Sequence, residues 1–266
     1  MKTPIELFQD GDPVAALEMA VEMVKSRPTD IAARSLLCEL LCFSGDLERA
    51  DKQLDSVVKL DPQSMPGVSL MRHLIRSEMC RREVYEQGRV PDFLETPTES
   101  QQKRLQALLA IREGHGAQAA GLLAEAADAD VELKGVLNGK PIEGFCDMDD
   151  LLGSVLEVFT ATGKYYWIGF EQVVTLDFEP VEHITDMLWR SASIETTGQV
   201  TGRVHIPAVY FGSSRSDNPM IRIGRTTDWV QQDEQSPVLG LGRREFLAGD
   251  DPVTIMEITS LSFRRD

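Results

Sequence analysis

The chain repeats itself near its start, and that repeat limits its fold more than any other feature. Laid over residues 41–62 at a shift of 34, residues 7–28 place Leu7 on Leu41, Gly11-Asp12 on Gly45-Asp46 and Ala16 on Ala50. Ala20 falls on Leu54, Val24 on Val58 and Pro28 on Pro62. Each matched position has a physical role in a pair of antiparallel helices. Glycine permits the tight turn, aspartate caps the next helix, alanine lets two helices approach closely, and proline ends the pair. A period of 34 is that of tetratricopeptide (TPR) arrays, whose helix pairs stack into a superhelix. A looser third copy sets Leu109, Gly114, Ala119, Leu123 and Ala127 on Leu40, Gly45, Ala50, Leu54 and Val58, at a shift of 69.

Helices are therefore expected near residues 4–9, 12–26, 30–43, 46–60, 65–87, 99–113 and 116–128. In the longest, Val68, Met71, Leu74, Ile75, Met79 and Tyr85 share roughly one face. Gly88 and Pro91 end it, and residues 91–100 read as a loop.

Beyond residue 130 the composition changes. That half holds 13 of the 20 glycines and all three tryptophans, and its apolar runs are short. Strands are expected at 167–170, 173–178, 204–210, 221–223 and 254–263. One helix is expected at 149–160, capped by Asp147 or Asp149, and a short second one at 186–189. The expected fold is multidomain, α and β: a TPR-like helical repeat array over residues 1–130, followed by a smaller β-rich (α+β) domain over 131–266.

Lys and Arg total 27 against 43 Asp and Glu, a formal charge of −16. Such a charge disfavours nucleic acid and anionic membrane as partners. No apolar run approaches the ~18–20 residues of a membrane span. The first residues carry Glu6, Asp10 and Asp12 where a signal peptide would need an uncharged apolar core, so a cytoplasmic protein is expected. The four cysteines show no disulfide framework and fit a reducing compartment.

No catalytic motif is complete. Gly139-Lys140 and Gly163-Lys164 lack the upstream glycine and the following Ser/Thr of a phosphate loop. Gly114-His115-Gly116 lies between helices rather than after a strand, and reads as a repeat turn. Asp147-Met148-Asp149-Asp150 lacks the spacing of a calcium loop. Cys38 and Cys42 share a helical face but have no histidine nearby to complete a zinc site, so they read as small buried hydrophobes. His183 and Asp186 could pair, yet no nucleophile turn completes a triad. No catalytic, cofactor or metal site is expected.

Two features suit binding. Five arginines against three glutamates make residues 63–90 net +2, and Arg72 and Arg76 share a helical face. They are the candidate partner-binding residues, with neutralisation of acidic neighbouring helices as the plainer alternative. The aromatic run Tyr165-Tyr166-Trp167, with Trp189, is either a recognition surface or the core of a small β domain.

The strings Gly163-Lys164-Tyr165-Tyr166-Trp167-Ile168, Asp186-Met187-Leu188-Trp189-Arg190 and Ile206-Pro207 with Tyr210 resemble the C-terminal signature of the ImpE proteins, also called TagJ. Asn138-Gly139, Leu156-Glu157-Val158 and Thr227-Asp228-Trp229 are similar to family positions too, whereas Lys164 and Gly169 replace the Arg and Pro usual there. The resemblance implies an accessory protein of bacterial type VI secretion. Its partner would be an N-terminal helix of the small sheath subunit, TssB, alongside the sheath-recycling ClpV ATPase. It carries no catalytic residues. The function expected is a non-enzymatic adaptor that grips an amphipathic helix. The alternatives are an enzyme using His183, Asp186 or His205, and a TPR scaffold for an unrelated protein.

Overall fold

The computed structural model describes residues 2–264. Its first half is helical: α1 (Pro4–Gln9), α2 (Pro13–Ser26), α3 (Ile31–Phe43), α4 (Leu47–Leu60), α5 (Met65–Gln87), α6 (Glu99–Arg112) and α7 (Gly116–Asp128). Three of these pairs are hairpins closed by one turn geometry. Gly11, Gly45 and Gly114 have φ of +89°, +75° and +75°, a region glycine enters without a Cβ penalty. Their N–H groups donate to the carbonyls of Phe8, Cys42 and Ile111, at 3.0, 3.1 and 3.1 Å. The next residue donates to Leu7, Leu41 and Ala110 in the same order. These positions lie 34 and 69 residues apart, so the third copy shares the geometry of the first two. It is looser because His115 stands where Asp12 and Asp46 cap, and gives no side-chain cap. Ala16, Ala50 and Ala119 are wholly buried at the helix crossings.

The long α5 leaves the repeat pattern and ends at Gly88, with φ of +82°. It packs against a sheet built from the second half. The strands are β1 (Lys134–Leu137), β2 (Lys140–Glu143), β3 (Phe145–Asp147), β4 (Val155–Thr160), β5 (Tyr165–Gly169), β6 (Val173–Phe178), β7 (Trp189–Thr196) and β8 (Thr201–Pro207). A short helix, α8 (Pro219–Arg222), is followed by β9 (Thr227–Val230), β10 (Leu239–Gly242), β11 (Glu245–Ala248), β12 (Asp251–Thr254) and β13 (Ser260–Phe263). Eight strands form one antiparallel sheet in the order β2-β1-β13-β6-β7-β8-β4-β5. A three-stranded sheet, β12-β11-β3, and a β9–β10 ribbon complete the half.

The two faces of the large sheet belong to different cores. Val155, Phe159, Tyr165, Trp167 and Trp189 join the helices in one apolar cluster. Leu156, Val158, Ile168, Leu176, Ile194 and Ile206 turn the other way, toward Phe246, Leu261 and Phe263. β4 is therefore buried on both faces.

That burial explains the main correction to the sequence reading. Residues 155–160 are a strand and not the end of a helix, because a doubly buried strand has a continuous apolar run that lacks alternation. Asp149 does cap, but it caps a turn: its Oδ1 accepts the N–H groups of Leu151 and Leu152 at 3.0 and 3.1 Å. Residues 221–223, expected as a strand, lie in and just after α8, which is started by the Asn218 cap and Pro219. The expected strand at 254–263 is two strands separated by a turn, with Glu257 accepting from Thr254. The short helix expected at 186–189 is a single 3₁₀ turn, Ile184–Met187, and Trp189 opens β7.

Loops of the second half rest on the repeat turns of the first. A Cβ at Gly11 would meet Met220 Cε at 2.7 Å, and one at Gly45 would meet Ser214 Oγ at 2.9 Å. At Gly116, Ser236 Oγ would lie only 1.9 Å away. Arg225 also donates to the Gln9 carbonyl. Glycine at 11 and 45 thus serves twice, for the turn and for the contact.

Candidate functional site

Where α5 meets β4, charged groups are buried together. Arg81 grips Glu157 with two hydrogen bonds of 2.8 Å, and also donates to the Val209 carbonyl. Glu157 accepts further from Tyr165 at 2.5 Å, Tyr85 at 3.2 Å and Arg244 at 3.3 Å. Arg244 pairs with Asp147, whose other oxygen accepts from the Tyr210 hydroxyl at 2.9 Å. Trp167 Nε1 donates to the Tyr165 oxygen at 2.6 Å. Arg81, Glu157 and Arg244 are each at most 1 % exposed.

Burial alone would raise the Glu157 pKa, but Arg81 and Arg244 outweigh it and hold the carboxylate below its ordinary value. Beside this network, burial and then the charge of Asp147 push Asp149 up to about 7. Two arginines balance two carboxylates, and every lone pair that counts is used. The arrangement holds α5 on the sheet, since a buried pair that loses a partner is costly.

Two openings flank this joint. A cleft of about 260 Å³ with a mixed lining lies between the α3–α4 turn, α5 and residues 209–215; Glu78, Arg81, Arg82, Glu86 and Arg215 line it together with Phe43, Leu188, Trp189 and Phe211. An apolar groove lies on the other side, between α6 and the β9–β10 ribbon. Its inner chamber, about 160 Å³, is lined by Leu108, Ile111, Arg112, Leu151, Phe211 and Leu239. Its outer chamber, about 220 Å³, shares Ile111 and Leu239 and reaches Gly116, Val230 and Pro237.

The residues singled out from the sequence are dispersed. Arg72 is held by Asp51 and Asp55 on α4. Arg76 is exposed, with its stem against Gly163 in the β4–β5 turn. His183 and Asp186 form a cap, not a side-chain pair: the Asp186 carboxylate accepts the backbone N–H groups of Glu182 and His183, both at 2.8 Å. His205 is buried on β8, its Nδ1 has no partner, and desolvation lowers its pKa. Cys38 and Cys42 are buried on α3. Among the described residues no group of three or more His, Cys, Asp or Glu could hold a metal ion.

The aromatic signature is framework. Tyr165 and Trp167 belong to the joint, Trp189 Nε1 donates to Glu78, and Arg190 donates to the carbonyls of Ile255 and Ile258. Sequence reasoning missed the Arg81–Glu157–Arg244 network and the groove at Ile111 and Leu239. Its one visible trace was a lone acid, Glu157, inside an apolar run.

Among the described residues no helix is long and apolar enough to cross a membrane. The model of the ImpE protein family matches residues 139–262, and a tetratricopeptide-repeat model matches residues 7–74. The type VI secretion system accessory component TagJ of Pseudomonas aeruginosa is 31% identical, over 97% of this chain and 90% of the relative. A crystal structure of a Vibrio parahaemolyticus protein superimposes with a TM-score of 0.92 at 27% identity, over 99% of this chain and 98% of the other.

Proposed function

The chain belongs to the ImpE family, and from that premise we propose that it is a cytoplasmic, non-enzymatic adaptor of type VI secretion. It holds an amphipathic helix of the contractile sheath's small subunit, TssB, near the ClpV ATPase that recycles sheath. The observation that carries this reading is the match to a type VI accessory component along almost the whole of both chains. One structural fact supports it: stacked helical hairpins present surfaces suited to helical partners.

Purified protein titrated with a peptide of the TssB N-terminal helix is expected to release or absorb heat and to co-elute with it. Absence of both overturns the reading. Arg72 and Arg76 are proposed as part of the rim, with Arg76 the more available because Arg72 is already paired on α4. Arg76→Glu should weaken an acidic partner about two- to fivefold, in the range of exposed ion pairs. Unchanged affinity removes Arg76 from the rim.

A further inference from the structure

We infer that the cleft between the α3–α4 turn, α5 and residues 209–215 binds a small organic monoanion, a carboxylate on a compact apolar body. The cations of this cleft keep hydrogen-bond donors in reserve. Arg81 commits Nε and Nη2 to Glu157 and the Val209 carbonyl. Among the described residues its Nη1 has no hydrogen-bond acceptor, and Glu78 Oε1 stands 3.6 Å away. Nη1 is not enclosed, because among the described residues the enclosed polar side-chain atoms without a partner are Arg190 Nε and His205 Nδ1. On a side chain only 1 % exposed, that leaves it open to the cleft that Arg81 lines. Arg82 and Arg222 line the cleft too. Among the described residues their guanidinium groups donate only to the carbonyls of Gly45 and Ser216, and neither meets a carboxylate. The Ser214 hydroxyl, beside Arg82 at Gly45, is likewise without a partner among the described residues.

Charge selects the occupant. Four arginines, Arg81, Arg82, Arg215 and Arg222, line the cleft against Glu78 and Glu86. Glu157 lies behind Arg81, and Arg244, which shares it, is balanced by Asp147. A surplus of one positive charge remains, in a chain whose formal charge is −16. That surplus matches a carboxylate, whose two oxygens accept the strong charge-assisted bonds that guanidinium groups give. A phosphate monoester carries about −1.5 to −2 at neutral pH and would exceed it. Phe43, Leu188, Trp189 and Phe211 supply the apolar wall. The volume of about 260 Å³ lies just under the ~300–1,000 Å³ of drug-sized sites, so the body is compact.

Ligand-observed NMR titration of the full chain with benzoate and 2-naphthoate tests this, at ~0.15 M salt so that surface charges are screened. Both are expected to bind once per chain with dissociation constants near or below about 1 mM. The neutral 2-naphthol, the same body without the carboxylate, should bind at least about tenfold more weakly than 2-naphthoate. Arg82→Gln and Arg222→Gln should each weaken 2-naphthoate about tenfold or more. Arg203→Gln removes the same charge from an exposed position on β8 and should leave the affinity unchanged. Arg222→Lys keeps the charge but loses the planar fork, so it should fall between the parent and Arg222→Gln. That pair at position 222 decides the matter if Arg82→Gln fails to melt like the parent. No binding of either carboxylate at about 10 mM, equal affinity for 2-naphthol, or parental affinity in the folded arginine-to-glutamine variants overturns the site. Phenyl phosphate binding more tightly than benzoate overturns the choice of a monoanion.

Discussion

The helical array and the sheet bury side chains of the same kind, yet they are assembled in different ways. In the array each hairpin closes through contacts a few residues apart, and the same glycine turn recurs three times. In the sheet the first strand pairs with the last: Gly135 lies opposite Phe263 and Leu137 opposite Leu261. Local closure costs little chain entropy, whereas joining distant strands has to wait for the rest of the sheet. The Arg81–Glu157 pair ties the two together across 76 residues of sequence. The contrast therefore concerns how order arises and not separate stability, because one apolar cluster runs through both halves.

The largest expected effect strikes that tie. Glu157→Ala takes the buried carboxylate from Arg81, leaving Arg244 only Asp147, and should cost about 3–5 kcal/mol. Thermal unfolding followed by far-UV and near-UV dichroism should give one coincident transition in the parent protein. Two separate transitions would break the picture of a shared core.

Glycines of the repeat turns sharpen the comparison next. Gly45→Ala meets both a left-handed backbone and Ser214, so it should cost more than Gly114→Ala, where nothing lies within 4 Å of the new Cβ. The conformational penalty common to both is about 1–2 kcal/mol. Equal losses by denaturant titration would show that the loops of the sheet half do not bear on the array.

A pH experiment reads the sheet side alone. The folded pKa of Asp149 is raised to about 7, so the folded state binds the proton more tightly than the unfolded chain. Its contribution to stability is full below the unfolded carboxylate value, near 4, and is lost as pH rises through about 7. Asp149→Asn keeps an acceptor for Leu151 and Leu152, removes the charge and loses the acceptor for Gly240. Its melting temperature relative to the parent should therefore be more favourable at pH 8 than at pH 6. A constant difference across that window would refute the raised pKa. The smallest effect belongs to the array surface: Arg72→Ala, which removes part-exposed ion pairs, should change stability by no more than about 1 kcal/mol.

Legibility in the sequence followed the same divide. All seven helices of the first half were readable, since caps, glycine turns and 3.6-residue periodicity are local signals. β6 was readable for a similar reason, as a short β-branched run between turn residues. β4 was not, because Val155–Thr160 takes its conformation from cores on both of its faces. The site was less legible still. Arg81 looked like one of several arginines on a basic helix, and its partners Glu157 and Arg244 lie far away in the chain. Nothing in the sequence sets Ile111 apart from the other apolar residues of α6. Only the ribbon's position makes it the wall of a groove.

The order of residues alone determined the repeating hairpins, their caps and their turns, because each is settled by interactions within about one turn of helix. Tertiary structure decided which strand lies beside which, which charges lose their water together, and where an opening is left between α6 and the ribbon. Those outcomes depend on groups brought together from distant parts of the chain, and desolvation and pairing act only once they meet.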